Sequence, residues 1–134
     1  MTTAAYSTIK TPDAPSGTGP FCQGVVTANG FIFVSGAVGR DPATMQVVEG
    51  IQAQTAQALK NISAVLKAGG TDESHIVKST IYLTDVRDFA AMNEVNVKHM
   101  GNLLPARTCV QVVGLPAENA VVEIETIALL KQSS

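Results

Sequence analysis

Between Val25 and Val34 the chain reads Val-Val-Thr-Ala, Asn-Gly, Phe-Ile-Phe-Val, and no other stretch restricts the fold as tightly. β-Branched and aromatic runs on either side of Asn29-Gly30 specify two antiparallel strands, because Asn-Gly tolerates the positive φ angles of a tight hairpin. Ser35-Gly36 is expected to end the second strand, and Asp41-Pro42 to open another turn. Ahead of the hairpin, Pro12 to Pro20 holds three prolines and two glycines. Residues 1–18 therefore read as an irregular lead-in.

The period changes after Gly50. Ile51, Thr55, Ala58, Leu59, Ile62, Val65 and Leu66 share one helical face, with Gln52, Gln57, Lys60 and Lys67 opposite. Gly69-Gly70 stops this helix. Ile76 to Leu83 is a β-branched strand, and Asp85 or Asp88 can cap a second helix reaching about Met100, with Phe89, Met92, Val95 and Val97 inward. Gly101-Asn102 ends it, and strands follow at Ala106–Val113 and Ala120–Leu130. The order β-β-β-α-β-α-β-β specifies an α+β single domain over residues 1–134, a mixed β-sheet with two helices on one face. No helix remains for the other face, so self-association is the economical way to cover it.

Composition supports that reading. Hydrophobic residues make up 46% of the chain and charged residues 15%, a low charge density for a surface meant to meet only water. A net charge of −2 gives no basic stripe for nucleic acid. No run approaches the roughly 18 apolar residues of a membrane span, and Met1 to Ser16 lacks the apolar core of a secretory signal. Cys22 and Cys109 stand alone, which fits two reduced thiols in a cytoplasmic protein. Neither cysteine nor His75 or His99 stands at metal-ligand spacing, so no metal and no cofactor is expected.

Against so few charges, Arg107 in Pro105-Ala106-Arg107-Thr108-Cys109-Val110 stands out. A guanidinium fixed on a strand is a fork for a carboxylate or phosphate, or one arm of an edge salt bridge. Glu123 and Glu125, two apart on the last strand, project from one face while Val122, Ile124 and Thr126 take the other. They are an exposed or salt-bridged pair, or one is a general acid/base with its pKa set by partial burial. The short connection Gly114 to Asn119 favours neighbouring strands and makes a pocket shared by Arg107 and a glutamate plausible. Cys109 follows Arg107 on the same side. As a nucleophile it would need a base or cation beside it, and a buried structural thiol is the simpler reading.

Taken together, Gly19-Pro20-Phe21-Cys22-Gln23-Gly24, Phe33-Val34-Ser35-Gly36, Val77-Lys78-Ser79-Thr80-Ile81-Tyr82-Leu83, Met92-Asn93-Glu94-Val95, Pro105 to Val110 and Val122-Glu123-Ile124-Glu125 resemble the RidA (YjgF-like) family of reactive intermediate deaminases. The resemblance spans about Gly19 to Leu129. It implies a chorismate-mutase-like fold assembled as a homotrimer with sites between subunits. It also implies hydrolysis of 2-imino acids, in equilibrium with enamines such as 2-aminoacrylate, to 2-oxo acids and ammonia. By position, Arg107 would clamp the substrate carboxylate, Glu123 would activate water, and the Cys109 backbone carbonyl would help hold that water. Phe21, Ser35 and Gly36 would line the pocket, and Asn93 would support the cleft. Many members carry tyrosine where this chain has Phe21, which implies a shift towards more apolar imines. The alternatives are an endoribonuclease or translation-inhibitor activity, or a non-catalytic holdase or ligand-binding trimer.

Overall fold

The computed structural model describes residues 5–17 and 19–132. Eight main elements follow in order: β1 (Tyr6–Ile9), β2 (Gly24–Thr27), β3 (Phe31–Val38), α1 (Ile51–Gly69), β4 (Ile76–Leu83), α2 (Phe89–Met100), β5 (Ala106–Gln111) and β6 (Val122–Leu129). They form one sheet in the order β1-β2-β3-β6-β4-β5, antiparallel throughout except between β4 and β5. The α+β class, the mixed sheet and the two helices are as the sequence specifies.

Several local expectations change. Strand β1 falls inside the segment read as irregular. Only Ile9 of it is buried, so it carries no apolar alternation, and its pairing with β2 from Tyr6↔Thr27 to Ile9↔Gly24 defines it instead. The β2–β3 turn is a three-residue loop, closed by the Gly30 N–H donating to the Thr27 carbonyl at 3.1 Å. Gly30 takes the positive φ there and Asn29 does not, the pattern of a turn followed by a glycine bulge. Strand β3 does not stop at Ser35-Gly36. It slips register between Val34 and Ala37 and continues to Val38, so Ser35 and Gly36 form a β-bulge.

Helix α1 buries the expected stripe, and with it Gln54 and Asn61. Gln54 bridges the Asn119 carbonyl (2.9 Å) and the Val121 N–H (2.8 Å), and Asn61 donates to the Arg40 carbonyl at 2.8 Å. These polar residues tie two loops to the helix, so their burial costs no unmade hydrogen bond. Helix α2 buries Met92 and Met100. Phe89 and Val97, expected inward, are 40% and 55% exposed, because α2 packs chiefly against α1 and this stripe lies outside that contact, with Phe89 beside the Arg107 guanidinium. Asp85 caps the short 3-10 turn Val86–Asp88 that leads into α2, whereas Asp88 makes no side-chain cap.

The sheet has two unlike faces. Val122, Ile124, Thr126 and Ala128 of β6 and Ser79, Ile81 and Leu83 of β4 are buried beneath the helices. Glu123, Glu125 and Ile127 alternate onto the other face with Lys78, Thr80 and Tyr82, and Phe33 there is 42% exposed. Among the described residues no helix covers that second face.

Candidate functional site

The side chains singled out in the sequence fall into two groups, on opposite sides of this sheet. Arg107 pairs in register with Ser79, which in turn pairs with Thr126, so all three side chains share the helical face. Glu123 pairs with Tyr82 and points to the open face. Strand β4 also lies between β5 and β6. The short 114–119 connection therefore does not bring Arg107 and Glu123 into one pocket of one chain: the strands are second neighbours and their residues are out of phase.

On the helical side, the edge position of β5 leaves Arg107 partly accessible. Its Nη1 donates to Asn93 Oδ1 at 2.6 Å, and its guanidinium carbon lies 5.6 Å from the centre of the Phe89 ring. Phe89 and Asn93 are one helical turn apart on α2, so a single helix face fixes the guanidinium by a hydrogen bond and a cation–π interaction. Neither of these neutralises the charge, and the other N–H donors of the fork remain for an anion. Cys109, two residues on, is half-buried. Burial pushes its thiol pKa up, and the Arg107 charge opposes this less strongly. A thiol held protonated is a poor nucleophile.

On the open side, Glu123 stands on a central strand among Phe21, Ser35 and Gly36, and it borders a cavity of about 560 Å³. The β3 bulge creates the room. A Cβ on Gly36 would lie 2.9 Å from Glu123 Cδ, so only glycine lets the carboxyl lie against β3. The Ser35 hydroxyl donates to the Cys22 carbonyl at 2.7 Å, holding the Phe21–Cys22 segment over the bulge. Gln23 fastens the lead-in beside it, with Nε2 reaching the Thr11, Ala14 and Pro15 carbonyls at 2.9–3.1 Å. Burial raises the Glu123 pKa above the ordinary glutamate value, and the nearby Glu125 carboxylate raises it further. A carboxyl tuned upward in a pocket is suited to moving protons.

Replacing Gly36 by alanine tests this packing. The clashing atom is the end of a flexible side chain, so the fold should survive while the carboxyl moves. Activity is expected to fall on the order of tenfold to a hundredfold with an unchanged circular dichroism spectrum.

Sequence reasoning missed Tyr82 and Phe89 as neighbours of these groups. The alternation Lys78, Thr80, Tyr82 held the signal for Tyr82, but only with the register against β6 known. His75 and His99 lie elsewhere, near Asp72 and Glu73. Among the described residues no three His, Cys, Asp or Glu side chains converge as a metal site, and no helix is long and apolar enough to cross a membrane.

The fold and site thus define an α+β sheet domain in which a partly accessible arginine and a half-buried carboxyl of raised pKa stand on opposite sides of the sheet. Comparison with known proteins places it more narrowly. The family described as Endoribonuclease L-PSP matches residues 11–130. A RutC family protein of Aquifex aeolicus is 44% identical over 123 residues, covering 90% of this chain and 97% of the relative. A 2-iminobutanoate/2-iminopropanoate deaminase of Mus musculus is 40% identical over 130 residues, covering 96% and 95%. The crystal structure of RidA from Psychrobacter sp. PAMC 21119 superposes with a TM-score of 0.88 at 41% identity, covering 92% and 99%. The chain belongs to this family, the RidA (YjgF-like) proteins.

Proposed function

We propose that the chain hydrolyses 2-imino acids, and their enamine tautomers such as 2-aminoacrylate, to 2-oxo acids and ammonia at a site completed by a second copy of itself. The observation that carries this reading is the division of the site. An unneutralised guanidinium and a raised carboxyl are each built with care, yet one chain keeps them on opposite sides of its sheet. A cyclic assembly juxtaposes them by bringing the β5 edge of one copy to the β3–β6 bulge of the next. The uncovered sheet face, with Phe33, Val110 and Leu129 each about 40% exposed, supplies apolar surface for that interface. We take the assembly to be a homotrimer with three such clefts.

In each cleft Arg107 of one copy grips the substrate carboxylate through two N–H donors, and Asn93 and Phe89 hold the fork in place. Glu123 of the next copy accepts a proton from water as its oxygen attacks C2 of the protonated imine. The carbinolamine then takes that proton on nitrogen and the C–N bond breaks. Ammonia leaves as the hydroxyl gives its own proton to the freed Glu123 carboxylate and the oxo group forms. The ammonia or solvent water then takes that proton from Glu123. Because the iminium carbon is already electrophilic, orientation and one proton carrier suffice. Cys109 acts through its main-chain carbonyl, which helps hold the water. Phe21 gives an aromatic wall without a hydroxyl, favouring more apolar imines. The relative named as an imine deaminase supports this reaction class.

A base must be deprotonated to work. The acid limb of the kcat/KM profile should therefore have its midpoint above 4.5, the ordinary glutamate value, because Glu123 is raised. The test of the reaction is a coupled assay in which a pyridoxal-phosphate-dependent dehydratase releases 2-aminoacrylate and its absorbance decay is followed. Faster decay with this protein is expected, and an unchanged rate contradicts the proposal.

The family's description carries a second reading, cleavage of RNA. With 9 Lys and Arg against 11 Asp and Glu, the chain has little to neutralise a phosphate backbone. An RNA-binding member should show a steep loss of affinity with added salt.

A further inference from the structure

We propose that Tyr82 and Glu125 are a positioning pair for Glu123: the phenol pins the Glu125 carboxylate, and that second carboxylate controls proton exchange at the first. The inference rests on the reading of Glu123 as the proton carrier and adds the residues that set its working range.

Glu123 and Glu125 project from the same face of β6, with Cα atoms about 7 Å apart at strand spacing. Two carboxylates this close on a partly buried face repel, and the repulsion each feels depends on where the other is held. Tyr82 does this: its hydroxyl donates to Glu125 Oε1 at 2.6 Å, the length of a charge-assisted bond to an anion. Tyr82 is also the cross-strand partner of Glu123 itself, so the ring stands between β4 and both carboxylates. All three side chains border the same small pocket, with Phe21, Ser35 and Gly36.

Within one chain the other charged groups facing this region are engaged or more distant, and the Arg107 that the proposed assembly adds from a second copy is common to every variant compared below. Lys78, on the same face of β4, donates to Thr108 Oγ1 at 2.7 Å. Arg40, on the wall of the larger adjoining cavity, donates to the Met45 carbonyl at 3.0 Å, and Glu118 on the same wall is exposed. Within one chain Glu125 is thus the charged group that faces Glu123 across this pocket. Its negative charge makes the loss of the Glu123 proton harder, in line with the raised Glu123 pKa, for which burial is the first cause and Glu125 the second. The Tyr82 pKa is raised chiefly by the same hydrogen bond, so the phenol remains the donor.

The experiment is a titration of Glu123 by NMR of the intact protein labelled with carbon-13 in its glutamate carboxyls, run beside the pH profile of imine hydrolysis. In Glu125→Gln the Glu123 midpoint should fall towards the ordinary glutamate value, and the acid limb of kcat/KM should follow it. Tyr82→Phe should lower the Glu123 midpoint by a smaller amount. Without the phenol the Glu125 carboxylate is no longer fixed beside Glu123 and swings away towards solvent, so it opposes the Glu123 charge less strongly. Glu125→Asp, which keeps the charge, should stay nearest to the wild type. An unmoved Glu123 midpoint in either Glu125→Gln or Tyr82→Phe overturns the pair. The NMR arm needs no turnover, so a protein inactive on imines with a shifted midpoint would sink the reaction and leave the pair standing.

Discussion

Glu123→Gln is expected to lose imine hydrolysis by about a hundredfold to ten-thousandfold, the range typical of removing a positioned general base. Glutamine matches the shape of the side chain and keeps Gly36 as its neighbour, so the loss should appear in kcat rather than in folding. Stability should move the other way. The folded-state pKa of Glu123 is raised above its unfolded value, so the folded chain binds this proton more readily than the unfolded chain does. That contribution is fully present below the unfolded pKa and is lost as pH rises through the folded pKa. At neutral pH the wild type therefore carries an ionised carboxyl in a site that disfavours it, and the glutamine variant should melt higher. A variant that is both inactive and more stable is the signature of a site strained for function. Unchanged turnover in Glu123→Gln would remove this residue from the mechanism.

Arg107→Ala is the second large effect. The guanidinium is held by Asn93 and Phe89 with its charge uncompensated, so its removal takes away the only cation assigned to the substrate carboxylate. Deleting one partner of a charge-assisted bidentate pair in a desolvated cleft costs roughly 2–5 kcal/mol, or about thirtyfold to several thousandfold in kcat/KM, with KM carrying much of it. Because Arg107 lies on an edge strand and is only partly buried, circular dichroism and the assembly state should change little. Lysine is not an adequate replacement, since a point charge cannot reproduce the planar fork that Asn93 orients.

Much of the fold was legible because hydrophobic period is a local signal. The alternation of β4 and β6 and the helical stripe of α1 assign each residue to a face before any partner is known. Glu123 and Glu125 fall together opposite Val122 and Ile124 on that basis alone. The misreadings share one physical cause, which is dependence on a neighbour. Strand β1 has no alternation of its own and exists because β2 offers an edge. Ser35-Gly36 resembles a strand end, yet β6 pairs on both sides of it and turns it into a bulge. Phe89 and Val97 fit an inward stripe, but α2 turns its buried side to α1 and leaves them exposed.

The site shows the same division. Arg107 and Glu123 stand out as chemistry, from residue type in a chain poor in charge, but their separation is invisible in the sequence. A short connection between two strands says nothing of a third strand inserted between them. It also cannot reveal that β5 and β6 present these residues in opposite phase. That arrangement, once seen, is the ground for proposing that a second copy is part of the site.

The most direct measurement of that claim is complementation between two inactive chains. Arg107→Ala and Glu123→Ala proteins are purified, mixed in equal amounts, dissociated and reassembled, and assayed for imine hydrolysis. If each site takes its arginine from one copy and its glutamate from the next, random assembly restores about a quarter of the wild-type activity, because one cleft in four combines the two intact residues. If the mixture stays as inactive as its components, the shared site is contradicted.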